Sequence, residues 1–310
     1  MRKKLLIAID SSIHSQHALD YAIQLNCCVK EIDFVLFNIQ PFISQYLIEE
    51  VSKRQKSKDE LEKVYEGNHI ASKKLLETCK ARMVRKGVES SCIEIKTQPR
   101  LNGIAKDILE AAEMGSYDAI IVGRRGIGGL QELFVGSVTS NLLASTYYIP
   151  IWVVDGQVES EKVLIAVDGS PTSLRAVDHL SFIFSKNRKV RLEFLNIKTR
   201  LGDICEIDTK TQEIAELDKA ILISNKKCIS DFSATARGIL NKAGIEQNQI
   251  VFRSEKKKFF TGKAIIEVQK KEKFGTVIIG KIGAGRNQHL GSVASHIVQK
   301  LSDCAVWVVP

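Results

Sequence analysis

The chain of 310 residues repeats itself, and the repeat limits its fold more than any other feature. KKLLIAIDSSIHSQHALDYA at 3–22 aligns with EKVLIAVDGSPTSLRAVDHL at 161–180, so Asp10 falls on Asp168, Ala18 on Ala176 and Asp20 on Asp178, each 158 residues on. Asn38 meets Asn196 at the same offset. The glycine-spaced loops GRRGIGGLQELFVGS (123–137) and GKIGAGRNQHLGS (280–292) align at 157 for Gly123/Gly280 and Gly126/Gly283, then at 155 for Gly136/Gly291 and Ser137/Ser292. The closing runs IWVV (151–154) and VWVV (306–309) keep 155, which confines a two-residue slip to the loop interior. A period this long is well beyond the roughly 20 to 50 residues of a solenoid unit. It marks a duplicated domain, with copies at 1–157 and 158–310 and the polar stretch DGQVESE (155–161) at the junction.

Each copy alternates strands and helices. LLIAI is a near-continuous apolar run suited to a parallel strand buried on both faces, followed by an expected helix from Ser12 to Asn26. DFVLFNI, CIEIKT, AIIVG and IWVV are the remaining strands of the first copy. Helices are expected over 59–86, with Leu61, Val64, Leu75, Leu76, Cys79 and Met83 on a helical period, and over 102–114 and 137–146. VLIAV, RLEFLNI, IVFRSE, TVIIG and VWVV repeat the strands, and Ser170-Pro171 is a helix entry signal, an N-cap followed by proline at the first helical position. Such alternation predicts an α/β fold, a Rossmann-like open five-stranded parallel sheet with helices on both faces, built twice.

Composition excludes several classes. The 44% hydrophobic and 26% charged shares are those of a globular chain. The apolar run after MRKK stops at Asp10, short of a signal-peptide core, and no run approaches the roughly 20 residues of a membrane span, so a cytoplasmic location is expected. Seven scattered cysteines without a CxxC pair predict buried or half-buried free thiols rather than a disulfide framework or zinc site. The net charge of +9 and the run Lys256, Lys257, Lys258, Phe259, Phe260 invite a nucleic-acid reading, but no nucleic-acid motif surrounds them and no such partner is expected.

In sheets of this kind ligands bind beyond the carboxyl ends of the strands, where strand order reverses. Asp10 and Asp168 end the first strand of each copy and the glycine loops follow the fourth, so both fall on that edge. Gly123 and Gly126 are expected to permit positive φ and close approach to a ligand. Gly136 and Ser137 open a helix whose free N–H groups attract phosphate, with Arg124 and Arg125 nearby. A plainer reading stands beside this one: the glycines turn the chain and start a helix, and duplication copies structure as faithfully as function. GxxxxGK with Ser or Thr is absent, as is GxGxxG after the first strand, which removes support for P-loop hydrolysis and hydride transfer. His14 and His17 lie early in the first helix; they are nominated as bases, with a solvated helix face as the plainer role and no third metal ligand in sight. His289 lies inside the second loop.

Gly123, Gly126, nine residues from Ile127 to Val135, then Gly136 and Ser137 match in full the pattern of ATP-binding members of the universal stress protein family, which the chain resembles over both copies. FNIQ at the end of the second strand and PIWVV are similar to the family too. The resemblance implies the adenine-nucleotide α-hydrolase-like version of the fold. It implies ATP, with Mg or Mn among its phosphates, held by Asp10 and the Ile39 backbone at the adenine, and by Gly123, Arg125, Gly126, Gly136, Ser137 and Val138 at the phosphates. Asp168, Ile197, Gly280, Gly283, Gly291 and Ser292 are the matching residues of the second copy, where only seven residues, Ala284 to Leu290, separate the second and third glycines. Two fewer residues shorten the loop by up to about 7 Å if extended.

Three functions remain open from the sequence. They are a nucleotide-dependent regulatory protein of the stress response, a slow ATP hydrolase or phosphotransferase, and a scaffold or other-ligand binder with an altered second pocket. No catalytic residue is assigned, and any turnover is expected to be weak ATPase activity. The two copies are expected to pair as family dimers do and two chains to form a homodimer, with Trp152 and Trp307 as interface anchors or ordinary core.

Overall fold

The computed structural model describes residues 2–42, 46, 48–49, 55–125, 135–198, 212–256, 260–283 and 290–310. The chain divides into two compact units, 1–154 and 155–310.

In the first unit the elements run β1 (Lys3–Ala8), α1 (Ile13–Cys28), β2 (Ile32–Gln40), α2 (Gln55–Arg85), β3 (Ile93–Pro99), α3 (Ile104–Met114), β4 (Ala119–Gly123), α4 (Ser137–Ser145) and β5 (Ile151–Asp155). The strands are all parallel in the order β3-β2-β1-β4-β5. Lys3 pairs with Ile32, Leu5 with Ala119, Phe34 with Ile93 and Ile120 with Ile151. Leu5, Leu6 and Ile7 are at most 1% exposed, as a central strand covered on both faces requires. Burying each such side chain stabilises by roughly 1.5–3 kcal/mol. Strand order reverses between β1 and β4, and the site is sought at their carboxyl ends.

The second unit repeats the plan with β6 (Val163–Ala166), α5 (Pro171–Ile183), β7 (Leu192–Lys198), α6 (Gln212–Lys242), β8 (Ile250–Lys256), α7 (Thr261–Glu272), β9 (Thr276–Gly280), α8 (Ser292–Lys300) and β10 (Cys304–Val309). Its parallel order is β10-β9-β6-β7-β8, with Val163 opposite both Leu192 and Thr276. The Rossmann-like α/β fold expected of each copy is therefore present in both.

Local chemistry explains the helix entries. The Ser12 hydroxyl accepts from the Ser15 N–H at the start of α1, and Ser170 accepts from Ser173 at the start of α5, where Pro171 occupies the first turn. Each such cap stabilises by about 1 kcal/mol. The apolar stripe expected along α2 holds only in its carboxyl half. Leu76, Cys79 and Met83 are buried, whereas Val64 is 50% exposed. The cysteine expectation also needs correcting, because Cys27 and Cys228 are exposed while Cys79 and Cys304 are buried. Trp152 meets Tyr21 edge-on at 6.5 Å, and Trp307 stacks on Phe184 at 5.7 Å, so each indole packs against rings of its own unit. No helix among the described residues is long and apolar enough to cross a membrane.

Candidate functional site

In each unit the first strand delivers an aspartate to the carboxyl edge of the sheet, and the neighbouring strand fixes where it emerges. Ile9 donates its N–H to Phe37 O at 2.8 Å and accepts from the Asn38 amide at 2.7 Å. The second unit repeats both bonds, Val167 N–H to Leu195 O at 2.9 Å and Asn196 Nδ2 to Val167 O at 3.0 Å. Beyond these anchors, Asp10 Oδ1 accepts from the N–H and hydroxyl of Ser12. Asp168 Oδ1 accepts from Ser170 N–H at 3.0 Å and Ser173 Oγ at 2.8 Å. One carboxylate oxygen in each unit thus organises a helix entry; Oδ2 takes none of these bonds.

The glycine loops are pinned at their feet in the same way in both units. Arg124 donates its N–H to Val154 O on β5, and Gly136 donates to Arg124 O at 2.8 Å. Lys281 donates to Val309 O on β10, and Gly291 donates to Lys281 O, also at 2.8 Å. The excursion between the feet is 125–135 in one unit and 282–290 in the other, which places the two-residue slip inside the excursion.

The helices that follow these loops start differently from α1 and α5. Gly136 and Gly291 are the N-caps of α4 and α8, and neither start has a side-chain cap. The first-turn N–H groups have no intrahelical partners and carry the positive end of the helix dipole, so they form a place for an anion. In the first unit, Thr139 ties the turn down, its hydroxyl donating to Gly123 O at 2.9 Å. Ala294 stands at the matching position of α8 and lacks that hydroxyl.

These features share one cleft in each unit. Asp10, Ile39, Gly123, Arg125, Gly136, Ser137 and Val138 all line a cleft of about 1030 Å³. Gly126 lies outside the described residues. Asp168, Ile197, Gly280, Gly283, Gly291 and Ser292 line a second cleft of about 540 Å³. Gly283 sits so close to Asp168 that a Cβ there would lie 3.0 Å from Asp168 Oδ2.

Gly123 does not take the positive φ that the sequence led one to expect. A Cβ on it would meet the His14 backbone at 2.5 Å. Its missing side chain lets α1 approach β4. Both His14 and His17 are half-buried, and neither lines the first cleft. His289 lies outside the described residues.

The sequence reading missed two features of the lining. Asn68 on α2 and Asn225 on α6 line their respective clefts and stand 157 residues apart, the offset of the glycines, which was the available signal. Arg100, whose guanidinium lies 5.3 Å over the Phe42 ring, adds a second cation to the first cleft. In the second cleft the lining cations among the described residues are Lys198 and the buried Lys281, whose ammonium burial pulls below the usual lysine range. No group of three His, Cys, Asp or Glu side chains suited to a metal ion occurs among the described residues.

Residues 1–154 and 159–310 each match the model of the Universal stress protein family. A universal stress protein of Mycolicibacterium smegmatis is 30% identical over 141 residues, which cover 43% of this chain and 46% of that protein, so the match spans about half of the relative's length. One from Bacillus subtilis is 28% identical over 167 residues, covering 50% of this chain and 99% of that protein. Among solved structures, a universal stress protein from Archaeoglobus fulgidus superposes with a TM-score of 0.65 at 18% identity over 99% of this chain and 97% of that one, a likeness of fold.

Proposed function

The chain belongs to the universal stress protein family, and from that premise we propose that it is a nucleotide-dependent regulatory protein that holds ATP in its first cleft. The observation that carries this reading is the start of α4, a helix N-terminus with no side-chain cap, in a cleft that Arg125 also lines. Phosphate oxygens would accept from the first-turn N–H groups and the Ser137 hydroxyl, with the Arg125 guanidinium adding charge-assisted bonds. Gly123, Gly136 and Val138 form the adjoining wall, and Gly126 belongs to the same reading. The adenine would lie by Asp10 and the Ile39 backbone at the ends of β1 and β2.

Asp10 is the one carboxylate among the described residues lining this cleft. A Mg or Mn ion would therefore be held chiefly by the phosphates themselves. ATP binding then shifts a conformational or assembly equilibrium in a cytoplasmic stress response, pairing of chains included.

Purified protein, heat-denatured, releases any retained nucleotide for anion-exchange chromatography. Intact ATP at about one per chain is the expected result, together with a rise in melting temperature when Mg-ATP is added. Mainly ADP would favour slow hydrolysis instead. No nucleotide and no thermal shift would end both nucleotide readings.

A further inference from the structure

The amino ends of the second unit's strands form the sheet edge opposite its cleft, and that edge is strongly basic. We infer that it is a docking surface for a membrane that carries anionic phospholipids. The inference goes beyond the nucleotide reading and does not depend on it.

Four short connections build the edge. Residues 160–162, 184–191, 243–249 and 273–275 lead into β6, β7, β8 and β9, and hydrogen bonds tie each to the next. Gly275 and Thr276 donate their N–H groups to Lys162 O at 3.1 and 3.2 Å, Val163 donates to Arg191 O at 3.2 Å, and Lys186 to Ala243 O at 2.8 Å. The Arg191 guanidinium donates to Asn248 O at 3.0 Å. In the strand order β9-β6-β7-β8 the entries stand about 4.8 Å apart, a fixed row of roughly 14 Å.

That row is crowded with exposed cations. Lys186, Arg188, Lys189 and Arg191 lie on the connection into β7, and Lys242 ends α6 just before the connection into β8. Lys270, Lys271 and Lys273 precede β9, and Lys162 precedes β6. Among the described residues none of these nine forms an ion pair. The carboxylates beside them are Glu161, Glu246 and Glu272, and Glu272 is already held by Arg253 at 2.8 Å.

The duplicated fold does not require this charge. At the nine matching positions the first unit has three cations, Lys4, Lys30 and Arg85, and three carboxylates, Glu31, Asp33 and Glu113. Nor do the helix dipoles account for it. α5, α6 and α7 end at this edge with roughly half a negative charge each, enough to explain one or two cations but not nine.

The chemistry of the row favours a lipid surface over a nucleic acid. Seven of the nine cations are lysines, point charges without the fork that reads paired phosphate oxygens. The nearby rings, Phe184 and Phe274, are 4% exposed, so a base has nothing to stack on. None of α5 to α8 starts at this edge, so none offers its N-terminus to a groove. Anionic headgroups need neither stacking nor readout. They need cations spaced within a Debye length of about 8 Å, as neighbouring strand entries are, and each cation near the surface multiplies partitioning about fivefold.

The test is co-sedimentation of the full chain with vesicles of phosphatidylcholine alone or with one third phosphatidylglycerol. The chain should pellet with the anionic vesicles at about 0.1 M salt, stay in solution with the neutral ones, and be released at about 1 M salt. Lys189→Glu with Arg191→Asp, the residues of positions 31 and 33, removes two cations and should lower partitioning at least about 25-fold. Lys270→Glu with Lys271→Met, the residues of positions 113 and 114, should do the same from the other end of the row, so a folding defect in one pair does not decide the outcome. Lys63→Glu with Lys74→Glu, exposed on α2, shifts the net charge as much as two reversals at the edge and should lower partitioning far less. Equal binding to neutral vesicles, binding to neither, or an equal loss in the α2 variant overturns the inference. Release of the bound chain by duplex DNA at the phosphate concentration of the vesicles also overturns it, and would make nucleic acid the partner.

Discussion

At the scale of single residues, the structure gives several of the positions that the sequence marks a packing role that the sequence did not show. Gly123 stands out in the sequence as a loop glycine, yet its missing Cβ serves the close approach of the His14 backbone, a long-range contact invisible in a local motif. Asn38 and Asn196 stand out only because they repeat; the structure adds that each amide bonds the carbonyl just before the strand-end aspartate. The repeat also pairs Tyr21 with His179, rings that each meet a tryptophan edge-on, Trp152 at 6.5 Å and Trp307 at 5.7 Å. Burial pulls the His179 imidazole down to about 3. Its pKa in the unfolded chain is about 6.5, so below that pH the unfolded state binds more protons than the folded one. Its contribution is therefore fully present above pH 6.5 and is lost as pH falls towards 3. His179→Tyr, which installs the ring found at position 21, should reduce the drop in melting temperature between pH 7.5 and pH 5. An unchanged drop would assign the acid sensitivity elsewhere.

At the scale of elements, the strands were legible because fully buried parallel strands write continuous apolar runs. The Ser170-Pro171 entry was legible because capping is local chemistry. The long helices were harder to read. α2 buries a regular stripe only over Leu76, Cys79 and Met83, and α6 buries Phe232, Ala236 and Leu240 near its carboxyl end, so the remaining surface of each helix gives little period to read. Asn68 and Asn225 sit in those weakly patterned stretches, which is why they were missed. The element that matters most for binding is α4, whose first turn is held by the 3% exposed Thr139 through its bond to Gly123 O. Thr139→Val keeps the shape and removes the donor, at a net cost of about 0.5–1.5 kcal/mol. If that turn holds phosphate, ATP affinity measured by isothermal titration calorimetry should fall about threefold to tenfold. Lower stability with unchanged affinity would make the bond structural only.

At the scale of the whole molecule, duplication was legible from the offsets alone, and the loop slip located the divergence between the copies. The strand order in each unit was not legible, because sequence gives the alternation of elements but not which neighbours the crossovers bring together. Nor was the way the two loops are anchored, since their feet are joined by backbone hydrogen bonds that leave no residue signature. Loops of unequal length in the sequence stand on matching backbone hydrogen bonds in the two units and lead into helices without a side-chain cap. The central claim is that the open start of α4 is where this chain holds ATP. Equilibrium dialysis of ATP against the full chain and its Gly136→Val variant tests it most directly. Gly136 has φ of −60° and ψ of 150°, extended backbone that valine adopts, so the variant should fold, its melting temperature without nucleotide lowered by the poorer N-cap, and that melting curve is the check that it is folded. The account predicts about one ATP per wild-type chain and loss of that binding in the folded variant; undiminished binding in the variant would contradict it.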